Sequence, residues 1–86
     1  MARLRIAACQ IDTWVGDIDG NVERILVAYQ RAVDAGADVA AFPELAITGY
    51  PPEDLLLRPA FIAANLDALA RVAAATGDCV AIVGFV

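Results

Sequence analysis

The sequence predicts an α/β protein built as β-α-β-α-β, and three observations predict it. Three short runs are apolar on both faces: Leu4 to Ile11, Val39 to Phe42 and Cys79 to Phe85. Two longer stretches between them carry apolar residues at helical spacing, with Gly or Pro near most boundaries. Each connection is long enough for a crossover between parallel strands, which takes roughly a dozen residues.

The first run, Leu4 to Ile11, suits a strand buried on both sides. Its Ile6-Ala7-Ala8-Cys9 segment has the form of a lipoprotein cleavage box. Only five residues precede it, two of them Arg, so no apolar leader core fits there. Asp12 to Gly20 reads as a loop, with Gly16, Asp17, Asp19 and Gly20 as turn formers. Asp12, Asp17 and Asp19 lack the glycine and terminal Glu of a calcium loop, so turn chemistry is the better reading. From Asn21 the pattern is helical: Val22, Ile25, Leu26, Tyr29 and Val33 recur on one side, and Glu23, Arg24, Gln30, Arg31 and Asp34 take the others. Gly36 is placed to stop that helix.

Val39-Ala40-Ala41-Phe42 is wholly apolar and reads as a central strand. Pro43 ends it, having no N–H to give to a ladder. Leu45 to Pro52 is irregular. Pro52 to Leu57 suits one helical turn, with Pro, Glu53 and Asp54 at its start. Pro59 opens a longer helix whose buried stripe is expected to be Ile62, Leu66, Leu69 and Ala73, and Gly77 closes it. Cys79 to Phe85 is the third strand, interrupted only by Gly84.

Right-handed crossovers between neighbouring strands put both helices on one face of the sheet and leave the other uncovered. The chain also reaches Val86 directly after the third strand, with no closing helix. Both features predict the opening part of a larger domain. Composition agrees. The chain is 60% apolar, and a mean hydropathy of +0.64 is high for so small a unit. A domain of this size buries only about 60% of its unfolded surface, so part of the apolar surface is expected to face something else.

Several chemistries are excluded. The chain has six Arg, eleven acidic residues and a net charge of −5, with no Lys, His or Ser. A Ser nucleophile, a His-containing triad, a Lys Schiff base and a His-rich metal site cannot be built from these residues alone. An acidic balance without a basic cluster argues against nucleic acid and membrane surfaces as partners. No apolar stretch approaches the roughly 18 residues of a spanning helix. Cys9 and Cys79 form neither a CxxC nor a disulfide framework, which suits a reducing, cytoplasmic compartment. Cys9 falls within the first strand and Cys79 has no cationic neighbour in sequence, so neither is a nucleophile candidate.

Glu44 is the one well-placed candidate. In an open parallel sheet, ligands bind just beyond the carboxyl ends of the strands, and Glu44 follows Pro43 there. A carboxylate in that position is expected to be partly desolvated, which favours its neutral form and suits a general base. The alternative is that Glu44 caps the following turn or pairs with an Arg. Tyr50 either presents its hydroxyl to a ligand or packs under its own loop, and Trp14 is equally open.

Phe42-Pro43-Glu44-Leu45 with Thr48-Gly49-Tyr50-Pro51 resembles the first catalytic motif of the nitrilase, or carbon–nitrogen hydrolase, superfamily. The continuation from Thr48 through Arg58-Pro59-Ala60-Phe61 resembles the amino-terminal glutaminase domains of the glutamine-dependent NAD synthetase family. The opening Leu4 to Ile11, Val15-Gly16-Asp17, Gly20-Asn21 and Gly77-Asp78 through Phe85 resemble them too, so the likeness covers essentially the whole chain.

That resemblance implies an incomplete α-β-β-α sandwich, with residues 1–86 as the amino-terminal part of its glutaminase domain. It also implies a Glu, Lys and Cys catalytic set in which Glu44 is the general base. Glutamine would be hydrolysed through a thioester, and the ammonia used to amidate deamido-NAD with ATP and magnesium. Tyr50 would border the glutamine pocket or the ammonia-channel entrance. The implied partners are L-glutamine, the remainder of the synthetase chain and further copies in a homo-oligomer. No cofactor is expected on this segment itself. The chain departs from the pattern in having no Lys and no Cys matching the nucleophile, so the 86 residues alone are expected to be inactive. A fragment of a stand-alone amidase or carbamoylase, and a non-catalytic remnant, are the alternatives.

Overall fold

The computed structural model describes residues 3–86. Strands β1 (Ile6–Ala8), β2 (Val39–Ala41) and β3 (Val80–Ile82) form one parallel sheet in the order β1-β2-β3. Helices α1 (Ile18–Asp34) and α2 (Pro59–Ala75) lie between successive strands, and a 3-10 turn spans Glu53–Leu57. The β-α-β-α-β reading is therefore met in order, type and pairing.

Register explains where the core sits. Ala7, Ala40 and Ala81 stand side by side across the sheet. Their small side chains let Tyr29 and Ala32 of α1 close onto β2, where Ala40 is fully buried. The alternate rows, Ile6–Val39–Val80 and Ala8–Ala41–Ile82, project to the other side because strand side chains alternate. Ile6, Val80 and Ile82 are all more than half exposed. One face is thus covered by helices and the other is open and apolar, as expected. The accessible surface of 5547 Å² exceeds the roughly 4,900 Å² of a compact monomer of 9.0 kDa, consistent with that open face.

The helix boundaries have local causes. α1 begins at Ile18, before the expected Asn21, because the Asp17 carboxylate accepts a hydrogen bond from the Gly20 N–H at 3.2 Å. At its other end Gly36 adopts φ +81°. The Gly36 N–H donates to Val33 O and the Ala37 N–H to Ala32 O, both at 3.0 Å, which together close a Schellman turn. Ala32 rather than Val33 is buried, since only a small side chain fits where α1 meets β2.

α2 corrects one expectation. Its buried residues are Asn65, Ala68 and Val72, while Leu66 and Ala73 are exposed and Ile62 and Leu69 are half-buried. The helix is rotated by about one position from the expected stripe. Two contacts set that rotation: Ala68 and Val72 pack against Val22 and Ile25 of α1, and the Asn65 amide pairs with the Val86 backbone. A helix this rich in alanine has too weak an apolar pattern to orient itself.

The strands are also shorter than read. Pro43 halts β2, so its neighbours have only three residues to pair with. Cys9 therefore lies just past β1, half-buried, with its N–H still donating to Ala41 O at 2.7 Å. The segment resembling a lipoprotein box is the strand β1 followed by Cys9. Pro52 is the N-cap of the 3-10 turn, and Glu53 and Asp54 occupy its first turn as expected. Among the described residues, no helix is long and apolar enough to cross a membrane.

Candidate active site

The turn after β2 is held from three sides. From Glu44 the chain folds through a turn in which Ala46, Ile47, Thr48 and Gly49 are buried. Ala46 and Ile47 join the main core with Val22, Ile25, Ala68 and Val72. The loop is thus a plug in the core, anchored by apolar burial on both helices. The Gly49 N–H donates to Leu45 O at 2.9 Å, closing the turn on itself.

Polar contacts tie this turn to the loop before α1. Asn21 is fully buried. Its Nδ2 donates to Ile47 O at 2.9 Å and to Trp14 O at 2.8 Å, and its Oδ1 accepts from Trp14 N–H at 2.8 Å. The Gly16 N–H donates to Thr48 O at 2.9 Å. Gly49, at φ +78°, presses so closely on Trp14 and Val15 that a Cβ there would lie 2.6 Å from the Val15 nitrogen. No buried side-chain polar atom among the described residues lacks a partner, so the turn leaves no side-chain polar group unsatisfied.

Glu44 stands at the mouth of this arrangement, beyond the carboxyl end of the central strand, as the sequence predicts. The expected partial desolvation is not met: Glu44 is exposed. The reason is topological. Glu44 leaves the sheet at its open end, and the helices cover only one face. No salt bridge to Glu44 occurs among the described residues, where Arg24 pairs with Asp17 at 3.3 Å and Arg71 with Asp19 at 2.8 Å. Asp17 and Asp19 of the first loop are thereby used as a cap and in ion pairs, in keeping with turn chemistry. Leu45, next to Glu44, takes φ +51°, a left-handed conformation that costs a residue with a Cβ roughly 1–2 kcal/mol.

A depression of about 320 Å³ opens at the ends of β1 and β2, lined by Ala8, Cys9, Gln10, Ala41, Phe42 and Pro43. Tyr50 is exposed, the residue keeping 67% of full accessibility, so it does not pack under its own loop. Trp14 is exposed as well and lies under the Arg24 guanidinium at 5.9 Å, a surface cation–π contact. Burial, with a smaller push from Cys79, raises the Cys9 thiol above its ordinary range. That supports the reading of Cys9 as an unreactive thiol. Among the described residues, no three His, Cys, Asp or Glu side chains gather as a metal site.

Sequence reasoning missed the structural role of Asn21, which stood as the first residue of a helical pattern and as part of the family resemblance. The signal was available: it is a polar residue one turn before Ile25, on the apolar face.

The comparisons with known proteins agree with this geometry. Residues 5–86 match the family described as carbon-nitrogen hydrolase. A glutamine-dependent NAD(+) synthetase of Xylella fastidiosa (strain Temecula1) is 55% identical over 83 residues, covering 95% of this chain and 15% of the relative. The corresponding synthetase of Thermotoga maritima is 42% identical over 73 residues, or 85% of this chain and 13% of the relative. The crystal structure of a glutamine-dependent NAD(+) synthetase from Cytophaga hutchinsonii superposes with a TM-score of 0.86 at 31% identity, covering 91% of this chain and 13% of that one. The Acinetobacter baumannii enzyme in complex with ADP gives 0.76 at 32% identity, with 91% and 15% covered. The chain thus spans only about a seventh of the length of these relatives, and its fold is the amino-terminal portion of their nitrilase-type domain. With strands, helices and the Phe42-Pro43-Glu44 turn all inside the matched region, the chain belongs to the carbon–nitrogen hydrolase family.

Proposed function

We propose that residues 1–86 are the amino-terminal part of the glutaminase domain of a glutamine-dependent NAD synthetase, with Glu44 as its general base. The observation that carries this is the position of Glu44. It sits at the carboxyl end of the central strand, on a turn anchored in the core, within a segment 55% identical to such synthetases.

In this reading the Glu44 carboxylate accepts the proton of a cysteine thiol supplied by the rest of the domain. The thiolate attacks the side-chain amide carbon of L-glutamine, and a lysine, also from beyond these residues, stabilises the oxyanion. Ammonia leaves, a thioester forms, and water releases glutamate. The exposed Tyr50 borders the glutamine pocket or the entrance of the ammonia channel. The open apolar face of the sheet is covered by the remainder of the chain. The full protein assembles as a homo-oligomer and passes ammonia to deamido-NAD in an ATP- and magnesium-dependent step.

The residues present do not fit ATP or magnesium. The sequence has no Lys and no glycine-rich phosphate loop, and the described residues gather no carboxylate cluster, so that step belongs to other parts of the protein. With neither the Lys nor the nucleophilic Cys, the 86 residues by themselves have no glutaminase activity.

The test begins with the intact mass of the native gene product. A mass several times 9.0 kDa is expected, and a mass near 9.0 kDa overturns the reading. In the longer protein, Glu44→Gln is expected to abolish NAD formation from glutamine while sparing formation from free ammonia. Loss of both activities, or of neither, contradicts the role of Glu44.

A further inference from the structure

The segment that continues β3 runs directly behind Glu44. Phe42 N–H donates to Ile82 O at 2.9 Å, extending the ladder past the last paired strand residues. Ile47 N–H points to Gly84 O at 3.4 Å. Two residues later the Asn65 side chain grips Val86 from both sides, accepting from its N–H at 3.1 Å and donating to its carbonyl. This strand extension is therefore tied down at three successive points, with Gly84 in the middle.

Gly84 is not required there by backbone conformation, since its φ lies outside the left-handed region. What requires it is space. A methyl group on Gly84 would fall on the Leu45 nitrogen, and would lie 3.1 Å from the Glu44 carbonyl carbon and 3.2 Å from its Cα. These are backbone atoms and cannot swing aside as a side chain tip would. Leu45 is already held at φ +51°, and the turn beyond it is plugged into the core. The Glu44–Leu45 peptide can thus yield only outward, carrying the Glu44 carboxylate with it.

We propose that Gly84 is a positioning residue for Glu44: the bare backbone of the β3 extension is the wall on which the Glu44–Leu45 peptide rests. The proposal builds on the reading of Glu44 as general base. Its consequence is specific. A side chain at position 84 impairs the proton-transfer geometry of the glutamine reaction and leaves glutamine binding and the ammonia-driven reaction intact.

The experiment uses the full-length gene product, with steady-state rates of NAD formation from L-glutamine and from ammonium chloride. Gly84→Ala is expected to lower the glutamine-dependent kcat by about 10- to 100-fold, the scale of an ångström-sized misplacement of a catalytic group. The glutamine KM and the ammonia-dependent rate stay at wild-type values. Gly77→Ala is the control: a Cβ there meets nothing within 4 Å, and both activities are expected unchanged. A wild-type glutamine-dependent kcat in Gly84→Ala overturns the proposal. Should Gly84→Ala lose both activities through misfolding, Asn65→Ala decides, because it frees the strand extension without crowding it. A selective fall in glutamine-dependent kcat there supports the proposal, and an unchanged kcat overturns it. Glu44→Gln, assayed in parallel, separates the two readings. If it keeps glutamine-dependent activity, the role of Glu44 fails. If it loses that activity while Gly84→Ala retains it, only the positioning role fails.

Discussion

Asn21→Ala removes a side chain that joins two loops from inside the core. The residue is fully buried, and its amide makes four hydrogen bonds, at 2.8 Å to each of Trp14 N and Trp14 O and at 2.9 Å to each of Ile47 O and Arg24. Alanine keeps the helix and removes all four. The bond to Ile47 O is buried, so the carbonyl left behind costs about 1–3 kcal/mol as an orphan acceptor. The two Trp14 groups are only half-buried and can rehydrate, so each loses a net contribution of about 0.5–1 kcal/mol. The Arg24 bond reaches toward solvent and adds little. The sum is about 2–5 kcal/mol, enough to loosen the Glu44 turn, and within the stability of a typical folded protein.

Amide hydrogen exchange of the full-length gene product, read by mass on peptides covering residues 11–17 and 44–49, reports this directly. At the lower limit of about 2 kcal/mol, protection in both segments falls roughly 30-fold. Arg24→Ala, which removes the outer bond along with the solvent-facing contacts of Arg24 to Asp17 and the Trp14 ring, is expected to change either segment by less than about fivefold, the effect of exposed contacts worth under ~1 kcal/mol. If Asn21→Ala leaves both segments within about threefold of wild type, or ~0.6 kcal/mol, the amide does not hold the loops together and the reasoning fails.

Three further outcomes are expected. Gly49→Ala places a Cβ 2.6–2.7 Å from the Trp14 and Val15 backbone at a residue with φ +78°. It should destabilise the protein by more than ~2 kcal/mol in thermal unfolding, since strain and clash add; a midpoint unchanged from wild type would refute the close approach. Folding raises the Cys9 thiol above its ordinary range, so the folded state holds that proton longer than the unfolded chain. The Cys9 contribution to stability is then present at neutral pH and declines as pH rises from the unfolded thiol value, about 8.5, through the folded one. Iodoacetamide labelling of Cys9 should accordingly reach half-maximal rate at higher pH in the folded protein than in urea, and coincident profiles would contradict the shift. Ile82→Lys changes a residue 58% exposed on the open sheet face. It should leave the fold of the isolated 86 residues unchanged and destabilise the full-length protein by several kcal/mol, as burial of an unpaired charge requires. Equal effects in both would mean that nothing covers that face.

The sequence by itself determined the element order, the parallel pairing and the open face. Those follow from local information: apolar runs, Gly36 and Pro43 as stops, and connections of crossover length. It also singled out Glu44, because Pro43 ends a short apolar strand and places the next residue at the sheet's carboxyl edge. What only the tertiary structure decided was orientation and distance. The rotation of α2 depends on Asn65 meeting the Val86 backbone and on Ala68 and Val72 meeting α1, contacts between residues far apart in the chain. The exposure of Glu44 depends on which face of the sheet the helices cover. The demand for glycine at position 84 comes from the Glu44–Leu45 peptide in the turn after β2, and Asn21 of α1 owes its role to Ile47, which lies in that same distant turn. Spacing along the chain carries periodicity and punctuation. It does not carry the approach of two backbones brought together by packing.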